Sequence, residues 1–267
     1  MNAVAVELVA RGVHALRRSA LWWGVGIMFF AVLNTAFWPT LEGTDALESF
    51  EEMGEVLEAF GAQNLATPAG YLDGQVYALM LPLLLSGMAI AGASAITSGD
   101  EDAGRLELLH ALPVSRYAVW LARWAGALVV LAGVTAVVAA VMAACLPVFS
   151  LDGVGVGPVL GATFACGLLA AFHASVAFAA SGLGAPRAPA VGMAILVLVA
   201  GYIVSFVLPL ADALAGARRW SPWYWALGRQ PVSDGVDAAR LVLLVTVMAA
   251  LVALGVWGVG RRDIRSA

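Results

Sequence analysis

The stretch AVWLARWAGALVVLAGVTAVVAAVMAACLPV, residues 118–148, contains one charged side chain, Arg123, among 31 residues that are otherwise small, aliphatic or aromatic, with one threonine. A helix rises about 1.5 Å per residue, so about 20 residues cross the roughly 30 Å hydrocarbon core of a bilayer. This stretch exceeds that length, which leaves room for a tilt or a bend. It therefore predicts a membrane-spanning helix.

Five further apolar windows flank this one. They cover about residues 19–39, 74–97, 158–181, 190–212 and 240–260. Of the 267 residues, 62% are hydrophobic and 12% are charged, and the mean hydropathy of +0.90 excludes an ordinary soluble enzyme. Membrane barrels have shorter segments of alternating polarity, whereas these windows are rich in Gly, Ala, Val and Leu. We expect one all-α, polytopic domain over residues 1–267 with six transmembrane helices.

The distribution of arginine predicts that both termini lie in the cytoplasm. All 14 basic residues are arginine, and basic residues in short loops near spans tend to stay cytoplasmic. With both termini inside, ten arginines lie inside, and the four outside are Arg218, Arg219, Arg229 and Arg240. The first outer loop, residues 40–72, has no arginine, and the apolar spacing over residues 47–60 predicts an amphipathic helix at the outer interface. We expect a multi-pass protein of the inner or plasma membrane.

A charged island, SGDEDAGRLELLHALPVSR at residues 98–116, joins the second and third windows. Its three consecutive acidic residues suit the first turn of a helix, and Pro113 would end that helix, so we predict a helix over about 103–112. One side of this helix is apolar and consists of Leu106, Leu109 and Leu112. Such a ridge with a charged rim favours docking in a protein groove. The alternative is a helix lying on lipid headgroups, which the acidic residues oppose at an anionic inner leaflet.

The island also resembles a known family, the ABC-2 type permease subunits of ATP-binding cassette transporters. GDEDAGRLELLHALPVSR, residues 99–116, matches a pattern of an acidic pair, Gly, Leu-Glu-Leu-Leu and Pro-Val-Ser-Arg. TPAGYLDGQVYALMLPLLL at 67–85, SPWYW at 221–225 and RRDI at 261–264 look like further family features, so most of the chain is covered. The resemblance implies a coupling helix that seats in a groove of a separate ATP-hydrolysing subunit. The matching positions are Asp100, Glu101, Gly104, Leu106, Glu107, Leu108, Leu109, Pro113, Ser115 and Arg116.

Two further features bear on this resemblance. His110 departs from the family pattern, which more often has an apolar or small residue there, and the change leaves the predicted helix intact. The N-terminal stretch VELVARGVHALRR, residues 6–18, resembles the family's interfacial helix along the inner leaflet. By its own pattern it is amphipathic and basic.

The resemblance implies partners for the chain. These are cytosolic ATPase subunits, which bind ATP and Mg, a second permease half in a homodimer or heterodimer, and the lipid bilayer; no nucleic acid is implied. The chain contains no lysine, so it cannot form the P-loop GxxxxGK[ST], and it has no HExxH, GxSxG or CxxC motif. We therefore expect a non-catalytic membrane subunit with no catalytic residue, metal or cofactor of its own.

His173 is an ionisable side chain inside the fourth window. An ionisable group at that depth is costly, which makes His173 a candidate for contact with the substrate or for a proton relay. The interpretation that the sequence favours is an interhelical hydrogen bond. Proline residues within or near the spans predict helix kinks, and they are Pro82, Pro147, Pro158 and Pro209.

The leading hypothesis is ATP-driven export of a hydrophobic compound such as a drug or an antibiotic. One alternative is an ATP-independent secondary transporter or channel, in which charged residues should occur inside the spans. Another is a membrane anchor that recruits a cytosolic protein through residues 98–116. Transport assays separate the anchor from the other two.

Overall fold

The computed structural model describes residues 3–42, 44, 64–104 and 115–261, and no strand occurs in these ranges. Six helical segments among them are long and apolar enough to cross a membrane. They are Val4–Leu41, Pro68–Asp102, Arg116–Val148, Val156–Gly182, Arg187–Leu210 and Ala238–Arg261. Each segment contains all or nearly all of one predicted window, so the all-α fold with six transmembrane helices is confirmed.

The described residues contain ten α-helices. They are α1 (Ala3–Ala36), α2 (Trp38–Leu41), α3 (Pro68–Leu72), α4 (Met80–Ala95), α5 (Ser98–Asp102), α6 (Arg116–Val148), α7 (Val156–Gly182), α8 (Arg187–Tyr202), α9 (Pro222–Leu227) and α10 (Ala238–Arg261). One π-helical turn, Asp73–Tyr77, precedes α4, and another, Ile203–Val207, follows α8. The amphipathic helix predicted for residues 47–60 lies outside the described residues.

Helix α7 occupies the centre of the bundle. Of its most apolar window 78% is buried, against 22–56% in the other spans. It packs against α4, α6, α8 and α10. Helices in a bilayer gain little from the hydrophobic effect, because lipid tails are as apolar as leucine, so their association depends on close packing of small residues. The Ala, Gly and Ser side chains of α7 allow this close approach on several sides.

Three glycines bring α7 and α10 into backbone contact. A Cβ atom placed on Gly258 would lie 2.7 Å from the carbonyl oxygen of Gly182, and one on Gly255 would lie 3.1 Å from the Cα atom of Ala179. Such distances leave no room for a side chain, because the opposing atoms belong to a helix backbone. The crossing of α7 and α10 therefore requires glycine.

Helix α1 is one continuous helix of 34 residues. Residues 6–18, which resemble the family's interfacial helix, are the first half of α1 and continue without a break into the first span. At about 1.5 Å per residue α1 is about 51 Å long, well beyond the thickness of the hydrocarbon core. Its N-terminal half packs against α6. Gly12 lies against Gly126, and Leu8 is buried against the first turns of α6.

The second membrane-spanning segment contains a break. Pro82 has no N–H to donate to the carbonyl of Ala78, and its ring crowds that carbonyl. The chain passes there from the π turn into α4 through Leu79, whose φ is −136°. The break lies where the kink at Pro82 is expected, and it divides the span into an outer and an inner part.

Candidate functional site

Helix α5 is fastened to two neighbouring helices by its acidic side chains. The carboxylate of Asp100 pairs with the guanidinium of Arg123 on α6, which also donates to the carbonyl of Ile96. Arg123 is only 8% exposed. The Oδ2 atom of Asp102 accepts a hydrogen bond of 3.0 Å from the backbone N–H of Arg187, at the start of α8. A carboxylate suits this position, because the first N–H groups of a helix have no partner within the helix.

A cluster of hydroxyl groups joins α5 to the end of α7. Thr97 donates to the carbonyl of Ala93 at 2.6 Å, and its Oγ1 atom lies 3.2 Å from the Oγ atom of Ser181, to which Ser98 donates. All three hydroxyl-bearing residues are buried, as is Glu101. The island therefore begins as a packed part of the bundle.

The island changes direction at Gly104. Helix α5 ends at Asp102, and the φ of Gly104 is +69°, in the left-handed region that glycine adopts without a steric penalty. Asp100 and Glu101 lie in the first turn of a helix, as predicted, but that helix is α5 and ends at Asp102, before Gly104. Of the helix predicted over 103–112, residues 105–112 lie outside the described residues. Five predicted coupling residues lie outside the described residues, and they are Leu106, Glu107, Leu108, Leu109 and Pro113.

The other end of the island is fastened as well. Ser115 caps α6, its Oγ atom accepting a hydrogen bond of 3.2 Å from the backbone N–H three residues later. The Nη1 atom of Arg116 donates to the carbonyl of Val259 on α10 at 3.3 Å. The side chain of Tyr117 contacts Gly260 on the same helix.

These contacts connect both flanks of residues 105–114 to the helices. The preceding flank is bonded to α6, α7 and α8, and the following flank is the first turn of α6, bonded to α10. Residues 104 and 115 thus border a stretch whose two flanks are together hydrogen-bonded to the ends of four helices.

Arg123 is the residue of this site that the sequence interpretation missed. In the sequence interpretation, Arg123 was only one of the ten arginines assigned to the cytoplasmic side. The signal was nevertheless present, because an ionisable residue inside an apolar span usually faces the bundle interior and pairs with another group. Its partner lies 23 positions earlier in the chain.

His173 lies at the centre of α7 and is fully buried. Its Nδ1 atom is 3.0 Å from the Oγ atom of Ser86 on α4, and the ring edge of Phe172 packs beside it. This is the interhelical hydrogen bond that the sequence favours. The Nε2 atom is buried without a partner. Contact of His173 with a substrate stays a prediction.

A second buried carboxylate lies at the opposite end of the bundle. Asp73, in the π turn, accepts hydrogen bonds from the backbone N–H of Val232 at 2.7 Å and from the N–H and Oγ of Ser233 at 3.0 and 2.7 Å. The carboxylate thus holds the connection between α9 and α10 against the second span. The sequence interpretation did not identify it, since its partners lie about 160 residues away.

A protein-family model matches almost the whole chain. This model, described as "Multidrug efflux system permease Rv1217c, C-terminal domain", matches residues 9–259. None of the curated proteins matches the chain. Together with the six apolar helices, this match makes the chain a multi-pass membrane permease. The chain belongs to the family of the multidrug efflux system permease Rv1217c, C-terminal domain.

Proposed function

We propose that the chain is the non-catalytic permease subunit of an ABC-2 type ATP-binding cassette exporter. The observation that carries this proposal is the fastening of both flanks of residues 105–114 to α6, α7, α8 and α10. A segment connected in this way is suited to transmit the movement of a bound partner to several membrane helices. The island's resemblance to an ABC-2 coupling helix supports the same function.

The end of the bundle that holds this site faces the cytoplasm in the proposed topology. The contacts of α5 and Arg116 bring together the starts of α6 and α8 and the ends of α7 and α10. This end carries most of the arginines, as the positive-inside rule expects for the cytoplasmic side. The membrane is then the inner or plasma membrane, and both termini are cytoplasmic.

The proposed assembly contains two permease halves and two cytosolic ATPase subunits. Helix α7 fills the centre of the bundle, so the pathway would form between this chain and a second half, identical or different. ATP and Mg would be bound by the ATPases, because this chain has no lysine for a P-loop. Closure of the ATPases around ATP would push residues 105–114 and turn α4 and α6 as levers.

The proposed substrate is a hydrophobic compound such as a drug or an antibiotic. The matched family model is named for a multidrug efflux permease, which supports export of such compounds. The spans are apolar and carry few charges, which agrees with a pathway for uncharged molecules.

Reversing the charge of Glu107 tests the proposed coupling. We expect Glu107→Arg to abolish ATP-dependent export of a fluorescent hydrophobic dye from inverted vesicles, while the amount of protein in the membrane stays unchanged. The physical reason is that a misplaced charge in an interface costs several kcal/mol. Glu42→Arg is the matched control, since Glu42 is exposed at the opposite end of the bundle, and this variant should export normally.

Unchanged ATP-dependent export by Glu107→Arg would contradict the coupling role. Export that needs no ATP would instead favour the secondary transporter, for which the unpartnered Nε2 atom of buried His173 is the supporting observation. Normal export by both variants, dependent on ATP, would place the contact with the ATPase elsewhere on the chain.

A further inference from the structure

A cavity of about 270 Å³ lies between α1, the end of the second span and the start of α6. Among the described residues that line it, three are charged, and they are Arg11, Asp100 and Arg123. The other lining residues are apolar or glycine. The cavity lies at the end of the bundle that holds α5, since Asp100 belongs to that helix. Charged groups are therefore gathered there around a space that a small polar group can enter.

Arg123 offers unused donor groups to this cavity. It is only 8% exposed, and both of its hydrogen bonds to described residues, to the carbonyl of Ile96 and the carboxylate of Asp100, use the Nη1 atom. The N–H groups on Nε and Nη2 take no part in these two bonds. A guanidinium presents its N–H groups in a planar fork that matches the oxygen atoms of a phosphate. Because a buried N–H group without an acceptor costs free energy, an anion in the cavity would be stabilised at Arg123.

Arg11 supplies a second guanidinium from α1. Its side chain is 62% exposed, and its Nε atom donates to the Oε1 atom of Glu7 at 3.0 Å. Glu7 is not among the residues that line the cavity, and an exposed ion pair of this kind contributes little to stability, so the guanidinium can turn to a ligand. The carboxylate of Asp100 opposes an anion, but the two guanidinium groups outnumber it. The lining therefore has a net positive charge.

The cavity lies at the depth of the lipid headgroups. Helix α6 ends at Val148 on the far side of the membrane. An upright helix crosses a hydrocarbon core of about 30 Å with about 20 residues, which places the near boundary of that core close to residue 128. Arg123 then lies about 7 Å beyond this boundary. In the proposed topology this is the cytoplasmic leaflet, which carries the anionic lipids.

We propose that this cavity binds the phosphate of an anionic phospholipid headgroup, with Arg11 and Arg123 as its donors. The apolar lining, which includes Leu8 and Val119, suits the glycerol carbons of a lipid and does not suit a hydrated ion. A free phosphate ion would meet the same donors, but the bilayer holds the phosphates of its lipids at this depth and so raises their local concentration. The bound headgroup would contact both α5 and α6. The site needs no ATPase and no transported substrate, so the inference goes beyond the proposed function.

The test measures binding of a phosphatidylglycerol with a fluorescent acyl chain to the purified full chain in mild detergent, by fluorescence anisotropy. Unlabelled phosphatidylglycerol should displace the probe, whereas phosphatidylcholine and inorganic phosphate at the same concentration should not. Arg11→Gln should weaken binding about tenfold, as expected for the loss of a hydrogen bond between charged groups. Ala15→Phe should weaken it to a similar extent without a change of charge, because Ala15 lines the cavity and phenylalanine would fill it.

Two control variants on the same helix separate the cavity from the general charge and bulk of α1. Arg17→Gln and Ala10→Phe make the same changes at exposed residues that do not line the cavity, and both should bind like the wild type. Equal weakening by Arg11→Gln and Arg17→Gln would overturn the inference, since binding would then depend only on diffuse surface charge. Displacement by phosphatidylcholine would overturn the choice of an anionic lipid. Displacement by inorganic phosphate would show that the occupant is a free anion and would overturn the inference as well.

Discussion

Replacing Gly258 by leucine is expected to remove nearly all folded protein. The new Cβ atom would lie 2.7 Å from the carbonyl oxygen of Gly182 and 3.0 Å from the Cδ2 atom of Leu183. A helix backbone cannot move away from one atom without displacing the whole helix, so α10 would separate from α7. Overpacking of a core usually costs about 1–3 kcal/mol, and a clash with backbone costs at least the upper end of that range. The measurement is the fraction of chain that elutes as one sharp peak in mild detergent.

Gly192→Leu is the matched control for this substitution. Gly192 lies in α8, another apolar span, and a Cβ atom there would meet nothing within 4 Å. This variant should elute like the wild type, because leucine favours a helix more than glycine does. If Gly258→Leu also elutes like the wild type, the close crossing of α7 and α10 is incorrect.

Replacing Arg123 by methionine is expected to destabilise the bundle and to release α5. The change removes the guanidinium that pairs with the carboxylate of Asp100 and donates to the carbonyl of Ile96. Removing one member of a buried ion pair costs about 3 kcal/mol, because the remaining charge stays poorly solvated. Thermal unfolding in detergent should therefore occur at a clearly lower temperature, and amide exchange of residues 97–102 should accelerate.

A double-mutant cycle separates the ion pair from the packing of the arginine. Asp100→Asn removes the negative charge that pairs with Arg123, so the variant that combines it with Arg123→Met should be more stable than Arg123→Met alone. If the effects of the two single substitutions simply add, the two side chains are not coupled and the fastening of α5 to α6 has another cause.

The helices of the bundle could be predicted well from the sequence. The window 118–148 differs from α6 by two residues at its start, because a long apolar run bounded by charges is a local signal. The path of α1 could not be predicted in the same way. Whether residues 6–18 leave the bundle depends on the contact of Gly12 with Gly126, which involves two distant parts of the chain.

The candidate site could be predicted only in part. The residues of the charged island stood out by composition, but the break at Gly104 depends on a backbone conformation for which the apolar pattern gives no signal. The roles of Arg123 and Asp73 arise from partners elsewhere in the chain, so their spacing gave no indication of them. The island's contact with a partner protein stays a prediction.

In the proposed assembly, residues 105–114 dock on a separate ATPase. The most direct test is affinity purification from native membranes in mild detergent, with mass spectrometry and an ATPase assay, comparing the wild type with a variant that carries Leu106→Asp and Leu109→Asp. A control variant carries Val4→Asp and Val6→Asp, exposed apolar residues at the start of α1. We expect a subunit with a P-loop to accompany the wild type and the control and to be lost from the Leu106/Leu109 variant. If no ATPase accompanies the wild type, or if the Leu106/Leu109 variant retains it, residues 105–114 do not dock on an ATPase.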